Sequence, residues 1–304
     1  MSLLGAIDIG GTKIAAGLVT DQGKVLQQAA APTPAALGPG AVMDTAAGLI
    51  RQLERQQGRS VDAVGVGSAG VIDPGSGMVL SATDALPDWP GTDLRGGLAA
   101  RFGLPVAVDN DVHAHALGEA WLGGGADARQ LLLVAVGTGI GASQVINGRV
   151  HHGSRNAAGH AGHMPLPEAD GRPCPCGGRG HAEAVAAGPA LLAEFRRLSG
   201  TAVRSLADVA VLAEDGDPVA CRVLELGATA LGRLIGGLVN LVDPDLVLVT
   251  GGVANCGPVW WRALRQSFAG DVLPPMRGVS IEPGRLGSQA PLLGAARLAL
   301  ELTA

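Results

Sequence analysis

Three groups of residues in this chain have the types and spacing that chemistry requires. The first is a set of glycine turns. Gly10-Gly11-Thr12-Lys13 follows an apolar run and brings two glycines, a hydroxyl and a cation together. Polyphosphates bind where backbone N–H groups point into a concavity, and glycine lets the main chain approach the anion closely. Asp8, just ahead of the turn, is placed to position a magnesium ion through water. Gly137-Thr138-Gly139 repeats the arrangement after a second apolar run. Gly251-Gly252 offers a third turn, where an adenosine could lie. The other reading of each is a plain hairpin turn, because 48 glycines create many such pairs by chance. Their common setting after apolar strands favours phosphate.

The second group is Asp109-Asn110-Asp111, at the end of a strand-like run from Val106 and the start of a helical one. A hydroxyl attacking phosphorus must lose its proton, and Asp111 can accept it while Asn110 fixes neighbouring hydroxyls. Asp111 can equally cap the helix. The third group is His163, Cys174, Cys176 and His181, four ligands of the kind and number that a closed tetrahedral zinc site takes. Gly177-Gly178 frees the backbone to turn around an ion. The alternative is a redox pair, although a disulfide across one residue would be strained.

These groups need elements to position them. Gly5–Val19 reads as strand, tight turn, strand, with a second turn at Asp21-Gln-Gly23. A helix is expected over 41–57, then a strand ending at Val66, a loop-rich stretch to Trp89, a helix over 94–102 and a strand over 106–108. The opening pattern then recurs: Leu131–Val136, the glycine turn, a strand and the turn Asn147-Gly148. Two copies suggest a duplicated domain. Helices over 189–198 and 218–241, a strand over 246–249 and a last helix over 290–302 complete two α/β domains facing a cleft. Gly65-Val-Gly67-Ser-Ala-Gly70 matches the dinucleotide fingerprint, but that motif must open a helix and Val71–Gly75 reads as turns. No Walker A sequence is present.

Composition narrows the partners. The 304 residues are 47% hydrophobic and 16% charged, enough for two cores. With 2% aromatics, no Tyr and a net charge of −5, neither stacked-base nor basic-surface nucleic-acid binding is expected. Four cysteines do not make a secreted disulfide scaffold. Asp8 interrupts the first apolar run and Asp243-Pro244-Asp245 follows the longest, so no membrane span, no signal peptide and a cytoplasmic location are expected.

With these pieces in hand the chain resembles the ROK family of bacterial sugar kinases and sugar-responsive repressors, within the actin/hexokinase-like superfamily. The resemblance covers nearly the whole chain. It rests on Asp8-Ile-Gly-Gly-Thr-Lys13, Asn110-Asp111, Gly137-Thr-Gly-Ile-Gly141, Gly159-His-Ala-Gly-His163 and Cys174-Pro-Cys-Gly-Gly-Arg-Gly-His181-Ala-Glu183. It implies a two-domain actin/hexokinase-like (ribonuclease H-like) α/β fold. Residues 1–118 would form the first domain and 119–288 the second, with a C-terminal helix in 289–304 packing back on the first. It also implies ATP-dependent phosphorylation of the 6-hydroxyl of a hexose or N-acylhexosamine. Asp111 would be the catalytic base, and Gly70, Asn110, His160, His163 and Glu183 would contact the sugar. Asp8, Gly10, Gly11, Thr12, Lys13, Gly137, Thr138, Gly139, Gly251 and Gly252 would hold ATP with Mg²⁺. His163, Cys174, Cys176 and His181 would bind a structural Zn²⁺, and the subunits would pair as a homodimer.

Three positions depart from the family pattern. His181 stands for its third zinc cysteine, and His160 for the glutamate of its Glu-Xaa-Gly-His motif. Thr83-Asp84-Ala-Leu-Pro-Asp88-Trp89 has no match for its sugar-binding asparagine. His160 points to N-acetylmannosamine ahead of glucose. Repressors of the family carry a helix-turn-helix domain before the first glycine turn, for which seven residues are too few. A binding module without activity would lack the carboxylate at Asp111, which is present.

Overall fold

The computed structural model describes residues 2–83 and 86–303. The chain runs β1 (Leu3–Ile9), β2 (Lys13–Thr20), β3 (Val25–Pro32), α1 (Gly38–Gln57), β4 (Ala63–Ser68), β5 (Val71–Asp73), β6 (Met78–Ser81), α2 (Leu94–Phe102), β7 (Val106–Asn110) and α3 (Asp111–Leu122). It continues with β8 (Gln130–Val136), β9 (Ile140–Ile146), β10 (Arg149–Val150), α4 (Glu183–Ala186), α5 (Gly188–Ser199), α6 (Leu206–Glu214) and α7 (Pro218–Val242). It ends with β11 (Leu246–Thr250), α8 (Gly257–Asp271), β12 (Ser280–Pro283) and α9 (Ala290–Leu300).

Two five-stranded sheets have one topology. The first is ordered β3-β2-β1-β4-β7 and the second β10-β9-β8-β11-β12. In the first, β1 pairs antiparallel with β2 and parallel with β4. In the second, β11 runs parallel to both β8 and β12. The repeated pattern in the sequence is thus a repeated sheet. Contacts divide the chain into one unit of residues 1–127, 143–158 and 285–304, and another of 128–142 and 159–284. The sequence had ended the first unit at 118 and given 119–288 to the second, so the excursion of 143–158 into the first unit was not foreseen.

In the first unit, strand alternation sends side chains to opposite faces. Leu3, Ile7 and Ile9 join the core formed with Val42, Ile50 and Leu53 of α1, while Leu4 and Ala6 join Leu292, Ala295 and Ala296 of α9. The α9 side is built from small residues. A methyl group at Gly294 would overlap the backbone carbonyl of Ala114 in α3, and one at Gly65 would overlap that of Ala295. Glycine at these two positions lets the main chains touch. Glu119, fully buried in α3, fixes the same region: its carboxylate accepts N–H bonds from Gly124 (2.9 Å) and Leu286 (2.9 Å).

Two expectations change. Val71–Asp73 is a strand paired with β6 rather than a turn, yet β4 leads into it and not into a helix, so the Gly65–Gly70 run is no dinucleotide loop. Among the described residues α7, 25 residues long, is long and apolar enough to cross a membrane by length and composition. Its amphipathic stripe, including Leu224, Leu231 and Ile235, is buried in the core of the second unit. A core helix of a large unit meets the same composition test as a span, which is why Asp243 alone did not exclude one.

Candidate active site

In the first unit, Asp8 lies opposite Gly67, and Gly67 opposite Asp109, in one line across β1, β4 and β7. Gly67 is one residue to which sequence reasoning gave no role here. A methyl group there would stand 3.0 Å from Ala114 Cβ, 3.4 Å from Asp111 Cα and 3.8 Å from Asp8 Oδ1. The missing side chain leaves space between the Asp8 carboxylate and the start of α3 at Asp111. Its signal was present, inside the glycine run set aside as a false fingerprint.

Burial, and then the neighbouring Asp111, raise the Asp8 carboxyl to about 7 against the pull of Lys13. Burial also raises Asp111, opposed by the Val112 N–H, His113 and the Asn110 amide. Two carboxylates lifted together in a partly buried setting are what a cation site or a general base presents.

The cap of α3 is Asn110, not Asp111. Asn110 Oδ1 accepts the N–H groups of Val112 (2.9 Å) and His113 (3.2 Å). Its Nδ2 donates to the Gly70 carbonyl (2.9 Å) and to Asp111 Oδ1 (2.9 Å). An amide has two donor hydrogens and one acceptor oxygen, so this one is engaged on every side. Asn110 thereby holds the Asp111 carboxylate at the start of α3. Gly70, at φ 108°, could carry no side chain without meeting the Ser81 carbonyl.

Around Asp109, to which the sequence assigned no role of its own, lies a cluster with two histidines. Asp109, 1% exposed, accepts from His113 Nδ1 (3.0 Å), His152 Nε2 (2.8 Å) and the Asn110 N–H (2.7 Å). His113 Nε2 reaches the Ala158 carbonyl at 3.3 Å. Burial alone would raise the Asp109 carboxyl, but the bonds from His113 and His152 outweigh it and hold the group below its usual range. The bond to Asp109 in turn raises His152.

The turn at Gly10–Lys13 closes the β1–β2 hairpin through Gly10 N–H to the Lys13 carbonyl (3.0 Å). Thr33 braces it, donating its hydroxyl to the Gly10 carbonyl (2.7 Å). Thr12 and Lys13 are exposed at the tip.

In the second unit, the turn Gly137-Thr138-Gly139 joins β8 to β9, and the Gly188 N–H at the start of α5 donates to the Gly137 carbonyl (2.8 Å). A methyl group at Gly137 or Gly252 would meet no protein atom within 4 Å, so nothing in the packing of the chain calls for glycine there. An open cradle of that kind fits a polyphosphate pressed against the backbone. Gly251, at φ 91°, lies against the Val136 backbone and leads through a 3₁₀ turn, Gly252–Asn255, into α8.

Glu183 ties this turn to the cysteine loop. Its Oε2 accepts the Ile140 N–H (2.9 Å) and would touch a methyl group on Gly139 or Gly162. Two residues earlier, His181 closes a cluster in which the ligand atoms of His163, Cys174, Cys176 and His181 all lie within 4.8 Å of one another. Cys174 Sγ is 3.6 Å from His163 Nδ1, and Cys176 Sγ 3.3 Å from His181 Nδ1. Gly177 takes φ 85° between them, and a side chain on Gly178 would strike the His181 ring. All four cysteines of the chain are free thiols. The donor set and its convergence fit a tetrahedral zinc ion. His160 is exposed and stacks on His163, centroids 6.2 Å apart. Asp84, in the segment that should carry a sugar-binding asparagine, lies outside the described residues.

Fold and site together define a phosphotransferase of the two-domain actin/hexokinase-like class. The ROK family model matches residues 4–302, and the chain belongs to the ROK family. It is 32% identical to the glucokinase of Thermotoga maritima, over 99% of this chain and 98% of that one. A ROK hexokinase structure from Thermus thermophilus is 34% identical, covers 99% of both chains and gives a TM-score of 0.86. A ROK glucokinase from Streptomyces griseus, solved with glucose and AMPPNP, is 31% identical over 98% of this chain and 99% of that one, with a TM-score of 0.84. A candidate N-acetylmannosamine kinase from Listeria monocytogenes is 25% identical over 99% of this chain and 100% of that one, with a TM-score of 0.83. The protein is a ROK sugar kinase, acting on an alcohol acceptor.

Proposed function

We propose that the protein transfers the γ-phosphate of ATP to the 6-hydroxyl of N-acetylmannosamine. Asp111 accepts the hydroxyl proton as the bond to phosphorus forms, and Asn110 holds its carboxylate in place. The turns at Gly10–Lys13, Gly137–Gly139 and Gly251-Gly252 bind the nucleotide through backbone N–H groups and Lys13. Asp8 would hold a Mg²⁺ ion, which would supply positive charge against the phosphoryl oxygens. Beside such a cation the carboxyl that burial and Asp111 lift to about 7 would be ionised.

The sugar assignment rests on His160. A glutamate at this position is a pure acceptor for sugar hydroxyls, whereas a neutral imidazole offers one donor and one acceptor. A ring bearing an acetamido group presents a carbonyl, which suits the donor. The His160 ring stacks on that of His163, a member of the Cys/His cluster, so an ion bound there would orient the loop that carries His160 without entering the reaction. Glucose is the second reading, favoured by full-length relatives that are glucokinases. Comparing kcat/KM for N-acetylmannosamine, N-acetylglucosamine, glucose and mannose with ATP decides between them. N-acetylmannosamine should lead, and His160→Glu should move preference towards glucose. A tenfold lead for glucose, about 1.4 kcal/mol of transition-state preference, would reject the hexosamine.

A further inference from the structure

Both ring nitrogens of His113 face acceptors. Nδ1 lies 3.0 Å from Asp109 Oδ1, and Nε2 lies 3.3 Å from the Ala158 carbonyl. A backbone carbonyl can only accept. An ionised carboxylate can only accept too, and this one already takes N–H bonds from Asn110 and His152. A neutral imidazole has one N–H, so it would set a lone pair against one of these oxygens in a buried site. With a proton on each nitrogen, every contact is satisfied.

We propose that His113 is a buried imidazolium whose charge, two residues from Asp111 at the start of α3, keeps the catalytic base ionised. Asp109 and His152 hold that imidazolium in place, and the segment 151–158 is anchored by the same bonds and by Asn156 Nδ2 donating to Asp73 Oδ1 (3.2 Å). His113 is thus a positioning residue, acting through Asp111. Among the described residues the charged and titratable groups that bear on Asp111 include Asp8 on β1, with Lys13 acting on it from β2, Asp109 and His113 at the β7–α3 junction, and His152, which bonds Asp109 and lies edge-on to the His113 ring at 5.0 Å. Asp8 opposes the ionisation of Asp111, so a cation on the other side has a use. The proposal rests on the reading of Asp111 as the base.

Two measurements test it. In protein carrying ¹⁵N-histidine, two-bond ¹H–¹⁵N correlations at pH 7 should show protons on both ring nitrogens of His113, the signal being assigned by its loss in His113→Asn. A neutral tautomer overturns the proposal. His113→Asn keeps a donor but has no charge, so Asp111 should titrate higher and the acid limb of kcat should move up by about one pH unit. Activity then falls roughly tenfold on that limb and recovers as the pH is raised, with the sugar KM unchanged. An unmoved acid limb, or an equal loss at every pH, overturns the proposal even if the variant is stable. If Asp111→Asn retained activity, the base assignment would fail by itself, while the NMR result would still decide the charge on His113.

Discussion

The β7–α3 junction and the cysteine loop of residues 159–183 hold the candidate site residues of their respective units, and they are held in opposite ways. At the junction, Asp109, Asn110 and Asp111 are fixed by regular structure on both sides and by bonds that satisfy one another. The loop has two short 3₁₀ turns and isolated bridges such as Pro165 to His181 and Pro173 to Arg179. Its strongest convergence is of four groups that are metal ligands by nature. The junction is held by the chain's own bonds, whereas the loop brings together four groups that an ion would tie to one another. A carboxylate whose position decides a reaction rate belongs on the first kind of support.

The largest expected effect is at the junction. Asp111→Asn preserves shape and the bond from Asn110 but cannot take a proton, so kcat should fall by about 10²–10⁴ while the sugar still binds. A variant keeping more than a tenth of kcat would remove Asp111 from the reaction and reduce the junction to a helix start.

Cys174→Ser probes the loop. Elemental analysis of the wild type should find one zinc per chain, and the variant should lose it, with sugar affinity weakened about 10–100-fold. Metal-free protein with full sugar affinity would mean that the loop stands without an ion, and the contrast with the junction would vanish.

A smaller effect is expected from packing far from either site. Gly294→Ala forces α3 and α9 apart, which should cost about 1–3 kcal/mol in denaturant unfolding and lower kcat by shifting the start of α3. An unchanged kcat would show that the bonds at the junction hold Asp111 without help from α9.

An effect of another kind concerns pH. Asp8 is raised to about 7 in the folded protein from 3.8. The native state therefore binds the proton more tightly than the unfolded chain does, and stability is lost as pH rises from about 4 to 7. Asp8→Asn should be the more stable form at pH 8, and the difference should shrink below pH 7 and disappear below about 4. A variant melting lower than the wild type at pH 8 without added cation would show that Asp8 is not under this stress.

Much of this was legible in the chain itself. The apolar runs, the glycine turns at 10–13 and 137–139 and the repeated strand pattern specified two α/β halves, because burial on both faces of a parallel strand demands near-continuous apolar sequence. His163, Cys174, Cys176 and His181 could be named as a group because ligand chemistry is carried by residue type. Geometry within the fold decided the rest. That Asn110 rather than Asp111 caps α3 depends on which side chain the backbone aims at the free N–H groups, and neighbouring residues of similar chemistry cannot be told apart from order alone. Gly67 mattered only once β1, β4 and β7 were in register, since its role is the space it leaves for Asp8 and Asp111. That Asp109 meets His113 and His152 was invisible for a related reason. His152 lies 43 residues from Asp109, and a hydrogen bond needs a meeting of atoms that spacing does not record. Sequence by itself determined which chemistries were available and which strands would be buried, because those follow from side-chain type and period. The tertiary structure alone decided which groups share a proton or a charge, because such coupling fades within a few ångströms and only folding brings the groups that close.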